Sequence, residues 1–533
     1  MTTIMQRCIT SESSACVVII LLTMISLLPL LVALDRTPLP WIDEVLWAST
    51  SISVMNGHSA TPAVLQAFHN TGRFDLFYGP VAIRLGVAWL KLLGVSMWKW
   101  RLLCFTGGLF VIVLAGTLVN ALGGSRFLTV TAICLVAFST PMGSAINSGR
   151  LDTIAVALQL CGLTCLVLSV QRKGFARCVL SIAAGVAIAA ALLSTPRSLT
   201  FCMGLACGGV GLLYFIGLKD CLQALLPATT VAITATSVWT CTEDLSPWRW
   251  LRLVSRASVG DPGNVSPLLG GDWGFKEAFF LPAFATIVLL VFVACCLGWL
   301  WLQKQTRDRT ATTSPELVFV LIVGLANAAL TIALLSRALS YEVFFVVPLV
   351  CGLLVLSAKF LGSTTPVATS RIVLSAWILF ALVGIAVRTI KLVDVYADWS
   401  SRDPQPLRVL ISNNIPAGSL VLGLDPVYFW AVQESNARYL WIKEVTTPGL
   451  NSGGGFDPQS TLQELDRSRA FLLWKDNEPL PSAFSSLIGK PTVTVRMETS
   501  EAGVMHSLRP RSMTASYPPA HLYSLSLLNV KSQ

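Results

Sequence analysis

Residues 17–34 read VVIILLTMISLLPLLVAL, and the chain continues Asp35-Arg-Thr-Pro-Leu-Pro-Trp-Ile-Asp-Glu-Val-Leu-Trp-Ala-Ser49. At a rise of about 1.5 Å per residue, an uncharged apolar run of this length reaches across the hydrocarbon layer of a bilayer as a helix. The polar stretch behind it then starts at a membrane surface. No small-residue cleavage site follows 17–34, so it reads as an uncleaved span rather than a signal peptide.

The same kind of run recurs down the chain. Eleven spans are expected, near 17–34, 102–120, 127–146, 153–170, 179–196, 199–217, 222–240, 278–302, 316–336, 342–358 and 372–389. Composition agrees: of 533 residues, 54% are hydrophobic and 12% charged, with a mean hydropathy of +0.69. Soluble chains carry roughly a quarter charged residues, so a soluble enzyme, a disordered chain and a small disulfide scaffold are excluded. The net charge of +10 comes from scattered cations, which argues against nucleic-acid binding. None of the 14 cysteines falls in 390–533, and no structural disulfide is expected.

Segment 78–94 is a twelfth apolar candidate, but Arg84 and Lys91 share one edge of it. Loop charges decide its placement. With eleven spans and an inner N-terminus, the short inner loops hold ten cations: Arg126, Arg172, Lys173, Arg177, Lys219, Lys304, Arg307, Arg309, Lys359 and Arg371. The short outer loops hold three: Arg150, Arg197 and Arg337. A twelfth span would reverse this bias, so 78–94 reads as a helix lying in the interface. The chain is then an all-α polytopic membrane domain over 1–389, with interfacial helices in the first outer loop (35–101). A small α/β extracytoplasmic domain follows over 390–533. Strands are expected at Leu420–Leu424, Arg438–Ile442, Ala470–Trp474 and Thr492–Arg496, and helices at Val427–Glu434 and Thr461–Ser468. The expected location is the plasma (inner) membrane, multi-pass, with the working face outside.

Few charges remain on that face. In the first outer loop, Pro40 can open a helix over about 41–55, which puts Asp43 and Glu44 in its first turn, where the helix dipole favours acids. Trp41 and Trp47 are expected at headgroup depth. A second short helix is expected from Thr61 and Pro62 to Gly72. The second outer loop, Asn147-Ser-Gly-Arg-Leu-Asp-Thr153, sets Arg150 two residues from Asp152. A short turn can simply end two spans, with Asp152 as a cap, yet charges this close to a bilayer are functional candidates. Arg197 and Arg337 are single cations in apolar outer turns. Arg249, Arg252 and Arg256 recur at helical spacing among tryptophans; they suit lipid phosphate, or general anchoring to anionic lipid. His58, His69, His506 and His521 lack metal spacing. No P-loop, dinucleotide fingerprint or nucleophile elbow is present.

The acidic pair opening the first outer loop, the Tyr78-Gly-Pro…Leu90-Lys-Leu-Leu-Gly-Val-Ser96 helix, the Arg101 that follows and the Arg-x-Asp second loop together resemble the GT-C membrane glycosyltransferases. The branch they are most similar to is the protein O-mannosyltransferase and lipid A aminoarabinose transferase group. The resemblance implies a donor sugar on a polyprenyl phosphate. It maps Asp43 onto the catalytic acid, Glu44 onto its neighbour, Arg101 onto the Arg after the interfacial helix and Asp152 onto the acid of the second loop. Where the group often has two prolines after a Lys, this chain has Gly79-Pro80, and the nearest cation is Arg73.

The chemistry implied is transfer of a sugar to an acceptor hydroxyl, probing for a base and a phosphate site. Asp43, with Glu44 and Asp152, supplies acid or base. Arg101, Arg150, Arg197, Arg252, Arg256 and Arg337 are candidates for the donor phosphate. Direct displacement inverts the anomeric centre. No cofactor is required, although Asp43 and Asp152 together can hold a divalent cation. Expected partners are the lipid-linked donor, a lipid, glycan or protein acceptor, and membrane lipid. The rival readings are a polytopic transporter, a non-catalytic scaffold and another lipid-linked transferase such as an oligosaccharyltransferase or polymer ligase.

Overall fold

A computed structural model describes residues 2–37, 39–65, 75–252, 298, 314–334, 341–361, 367–423, 425–441, 470–475, 493–495 and 520–525. Its helices are α1 (Thr2–Val32), α2 (Ile42–Met55), α3 (Asp75–Tyr78), α4 (Pro80–Leu93), α5 (Met97–Ala121), α6 (Arg126–Phe138), α7 (Thr140–Ala145), α8 (Asp152–Gln171), α9 (Gly174–Leu192), α10 (Ser198–Thr242), α11 (Pro315–Leu334), α12 (Val343–Phe360), α13 (Val367–Ala397), α14 (Gln405–Asn414) and α15 (Phe429–Glu434). Among the described residues, seven helices are long and apolar enough to cross a membrane: α5 and α8 to α13.

The apolar runs read from sequence fall on these helices, with informative differences. The run 127–146 is broken: α6 ends at Phe138 and α7 begins at Thr140. Ser139 stands between them in extended conformation and accepts from Met142 N. Pro141 lacks the N–H that a continuing helix would donate to the Ala137 carbonyl, and its ring would clash with that carbonyl, so the helix stops and restarts with Pro141 in the first turn of α7. The runs 199–217 and 222–240 are two helical segments, as expected; α10 covers both, and they part at Gly217, whose φ of 78° and ψ of 167° are not helical. Helix α13 runs to Ala397, past the expected boundary at 389. The expected span 278–302 lies outside the described residues apart from residue 298, as do the expected helix Thr461–Ser468, His69 and His506.

Segment 78–94 becomes α4, only 14 residues long, with Ala82, Ile83, Gly86 and Leu90 buried along one side and Leu92 exposed. In the first outer loop, α2 starts at Ile42 with Trp41 in the capping position. After Pro62 the chain forms a 3-10 turn, Ala63–Leu65; the rest of the helix expected as far as Gly72 lies outside the described residues.

The C-terminal part carries a five-stranded sheet of β1 (Leu420–Gly423), β2 (Arg438–Trp441), β3 (Ala470–Lys475), β4 (Val493–Val495) and β5 (Ala520–Leu525) in the order β2-β1-β3-β5-β4. Strand β1 is parallel to β2 and β3, while β5 is antiparallel to β3 and β4. Strand β5 has no counterpart in the sequence reading.

Two apolar cores result. One lies between the long helices, from Leu27 to Phe380. The other joins α2, α4 and the start of α5 to the sheet, with Trp47, Trp100, Trp430 and Tyr439 inside it. The sheet is therefore packed onto the first-loop helices. Polar ties add to that seam: Met97 N donates to Glu434 Oε1 at 2.8 Å, and Arg408 Nε lies 2.6 Å from Glu434 Oε2. Arg36 Nη1 meets Asp403 Oδ1 at 3.2 Å, joining the end of α1 to the segment after α13.

Gly79 fixes α4 against the turn between α9 and α10. Its φ is 77°, and a Cβ there would collide with the Leu193 backbone. Val81 N donates to Leu193 O at 3.0 Å. Gly79→Ala is expected to cost about 1–3 kcal/mol beyond the backbone strain, read as a lower unfolding midpoint of the purified protein. Gly57→Ala serves as the comparison: φ is 81° there, but the added methyl meets nothing within 4 Å. Equal losses in the two variants would show that the α4 contact is not tight.

Candidate active site

The first two acids of α2 have separate fates. Glu44 is fully buried. Arg101, in the second turn of α5 and equally buried, grips it with both forks: Nε to Oε1 at 2.8 Å and Nη2 to Oε2 at 2.6 Å. Arg101 Nη1 donates to Leu34 O at 2.7 Å. Trp430 Nε1, from α15, donates to Glu44 Oε1 at 3.1 Å. Such a bidentate, hydrogen-bonded pair is the geometry in which burying two charges is offset. It leaves Arg101 no surface for a phosphate, contrary to the sequence expectation, and it makes Glu44 a structural acid rather than a catalytic one. Trp430 gave no signal in the sequence, because nothing local marks an indole that meets a carboxylate 386 positions away.

The turn between α7 and α8 is shaped around that pair. Gly149 has φ 72°, and a Cβ on it would overlap the Glu44 carboxyl. Its carbonyl accepts from Trp100 Nε1 at 2.8 Å, and the Ser148 carbonyl accepts from Trp41 Nε1 at 2.6 Å. Trp41 therefore holds this turn. Trp47, expected near the headgroups, is instead 1% exposed and packs edge-on to Tyr78 at 4.8 Å.

Held this way, the turn presents Arg150, which is 5% exposed. Arg150 Nη2 lies 2.6 Å from Asp152 Oδ2, and Nη1 lies 3.7 Å from Asp43 Oδ2. Asp152 opens α8 as its first residue and turns its carboxylate to the arginines. Arg197, in the capping position of α10, brings Nη1 to 3.7 Å from Asp152 Oδ1 and donates from Nη2 to Tyr341 Oη at 2.6 Å. The Tyr341 ring lies 4.7 Å from the Arg150 guanidinium and 4.1 Å from that of Arg197. Tyr78 stands 5.5 Å from Arg197. These aromatic faces attract the cations.

Burial disfavours the charge on both arginines, yet each pKa is raised. For Arg150 the neighbours responsible are Asp152, Tyr341, Asp43 and Tyr78; for Arg197 they are chiefly Tyr341 and Tyr78, against repulsion from Arg150. Burial likewise raises Tyr78, opposed by Arg197. Both guanidinium groups stay charged, and both keep unused donors: Arg150 Nε and Arg197 Nη1 have no hydrogen-bond partner. Asp43 is the accessible carboxylate, with 30% of its side chain exposed.

Asp43, Asp152, Arg150 and Arg197 are thus brought together. Arg252 is exposed, its guanidinium 5.6 Å from the Trp248 ring. Arg256 and Arg337 lie outside the described residues. Asp43 and Asp152 do not fit a divalent cation as arranged, because the Arg150 guanidinium meets both carboxylates. Among the described residues no three acidic, histidine or cysteine side chains group for a metal. Tyr78 and Tyr341 were legible only as parts of longer motifs; their position at the ends of apolar runs was the available signal.

Arg101→Leu leaves Glu44 buried and unpaired and is expected to cost about 3–5 kcal/mol of stability. Trp430→Phe removes one bond to a charged group and should cost about 1.5–3 kcal/mol. Denaturant unfolding of the purified variants checks both; an unchanged midpoint in Arg101→Leu would mean that the pair does not hold the site.

No protein-family description matches the chain, and no curated protein does. Solved structures do. ArnT from Cupriavidus metallidurans, bound to undecaprenyl phosphate, aligns over 96% of this chain and 98% of its own at 14% identity, with a TM-score of 0.54. The apo state of the same protein gives 0.52 over the same shares at 14% identity. The mycobacterial arabinofuranosyltransferase AftD aligns over 96% of this chain but 40% of its own, at 14% identity and a TM-score of 0.50. The chain shares its fold with these membrane proteins.

Proposed function

We propose that the chain is a membrane glycosyltransferase that moves a sugar from a polyprenyl-phosphate donor to an acceptor hydroxyl, at the outer face of the plasma membrane and with inversion. The observation that carries this reading is the accessible Asp43 carboxylate beside two buried arginines with unused donors. The ArnT structure contains undecaprenyl phosphate, a ligand of the class proposed here.

In this reading Asp43 takes the proton of the acceptor hydroxyl. The oxygen attacks the anomeric carbon, and the bond from that carbon to the phosphate oxygen breaks. The electron pair leaves with the lipid phosphate, and charge-fixed donors at that oxygen lower the barrier. Arg197 suits this role: its contact with Asp152 is at 3.7 Å, and its Nη1 is free of hydrogen bonds. Asp152 orients Arg150 and Arg197 and is a positioning residue rather than a base. Two cations carry the phosphate, so no metal is invoked. A transporter would place its ionisable groups near the middle of the spans; here Asp152 opens α8 and Arg197 stands just before α10.

Asp43→Asn is expected to abolish transfer from a labelled polyprenyl-phosphate sugar while leaving yield and unfolding midpoint unchanged; a purified variant that still transfers would sink the assignment. Arg197→Gln should lower kcat by about 10²–10³, measured in the same assay. A loss confined to KM would show that Arg197 binds the donor without serving the leaving phosphate.

A further inference from the structure

A small cavity of about 30 Å³, with a mostly apolar lining, lies between the ends of α1, α7 and α13. Its lining includes Arg388, Lys391 and Thr140 together with Leu30, Val387 and Leu392. Arg388 is 7% exposed. Its Nη2 donates to the Ala137 carbonyl, and its guanidinium lies 5.3 Å from the Phe138 ring. Nε and Nη1 have no hydrogen-bond partner, and neither has Thr140 Oγ1. No carboxylate therefore bonds to this guanidinium among the described residues. Lys391 adds a second cation one turn on, with Nζ 3.2 Å from Ser144 Oγ.

A buried guanidinium with two idle donors and no counter-charge is costly unless something anionic answers it. Two N–H groups of one arginine, a hydroxyl and an ammonium suit the oxygens of a phosphate. The apolar part of the lining and the lipid-type exposure of neighbouring α13 residues (Leu382, Ile385, Ile390 and Val393) supply a path for a hydrocarbon chain. We infer that this cavity binds the phosphate headgroup of a membrane lipid, apart from the cluster of Asp43, Arg150 and Arg197. Asn147 lines the cavity and belongs to the same turn as Arg150, while neither Arg150 nor Arg197 is among the lining residues. The inference stands on Arg388 and Thr140 and does not require the reading of Asp43.

The test is native mass spectrometry of the full-length protein in detergent with farnesyl phosphate as the probe, and with farnesol and inorganic phosphate as separate arms. Arg388→Gln is expected to weaken one equivalent of farnesyl phosphate at least tenfold, while Arg197→Gln leaves that equivalent in place. Farnesol and inorganic phosphate should each bind at least tenfold more weakly than the lipid phosphate. Thr140→Val/Lys391→Gln keeps the buried arginine and should weaken the same equivalent, which preserves the test if Arg388→Gln does not fold. Unchanged binding in these variants overturns the site. Equal binding of farnesol shows a chain pocket without a phosphate site, and equal binding of inorganic phosphate shows a free-anion site; either outcome overturns the lipid assignment. Loss of a different equivalent in Arg197→Gln would concern the Asp43 cluster alone, so the two readings fail separately.

Discussion

The buried pair of Glu44 and Arg101 is the contact on which the site depends. Its bonds reach the end of α1 through Leu34, the start of α2, the second turn of α5 and, through Trp430, the C-terminal part of the chain. Gly149 has to be without a side chain because the same carboxylate fills the space beside it. One ion pair thus sets the relative position of four segments far apart in sequence. Asp43 inherits its place from Glu44, since neighbouring residues of one helical turn move together.

Around that anchor the site divides labour between buried and accessible charge. Glu44 and Arg101 satisfy each other, with Trp430 and the Leu34 carbonyl taking up what is left. Asp152, Arg150 and Arg197 satisfy each other incompletely, at 2.6 and 3.7 Å, and retain donors. Charges that are buried, fixed and unsaturated are arranged in advance for a negative group, which is the condition under which electrostatic stabilisation is strong. The tyrosine faces hold the guanidinium groups apart without neutralising them.

Much of this was legible in the sequence because a membrane makes charge scarce. With 12% charged residues, each outer-loop charge could be named, and Asp43, Arg150, Asp152 and Arg197 do meet. The apolar runs were legible for the same reason, since backbone in hydrocarbon must close its own hydrogen bonds. Three things were not. The break at Ser139 needed the Ser-Thr-Pro signal to be weighed above hydropathy. The division between Glu44 and Asp43 depends on which face of α2 is covered, and that is set by α5 and the sheet. Trp430, Tyr78 and Tyr341 act through tertiary contact; local pattern carries no record of the first and marks the two tyrosines only as ends of apolar runs.

The hydrogen bond from Trp430 to Glu44 also has a meaning in time. The chain is made from its N-terminus, and synthesis at about 5–20 residues per second separates these two residues by roughly 20–80 s. Once Arg101 has been made, 57 residues after Glu44, the carboxylate has its arginine but not its indole for the rest of that interval, and the face of α2 and α4 that later receives the sheet is bare. The end of the molecule that carries the charged cluster is therefore finished last, and a nascent chain that stops before Trp430 holds Asp43, Arg150, Asp152 and Arg197 without the cover that Trp430 brings.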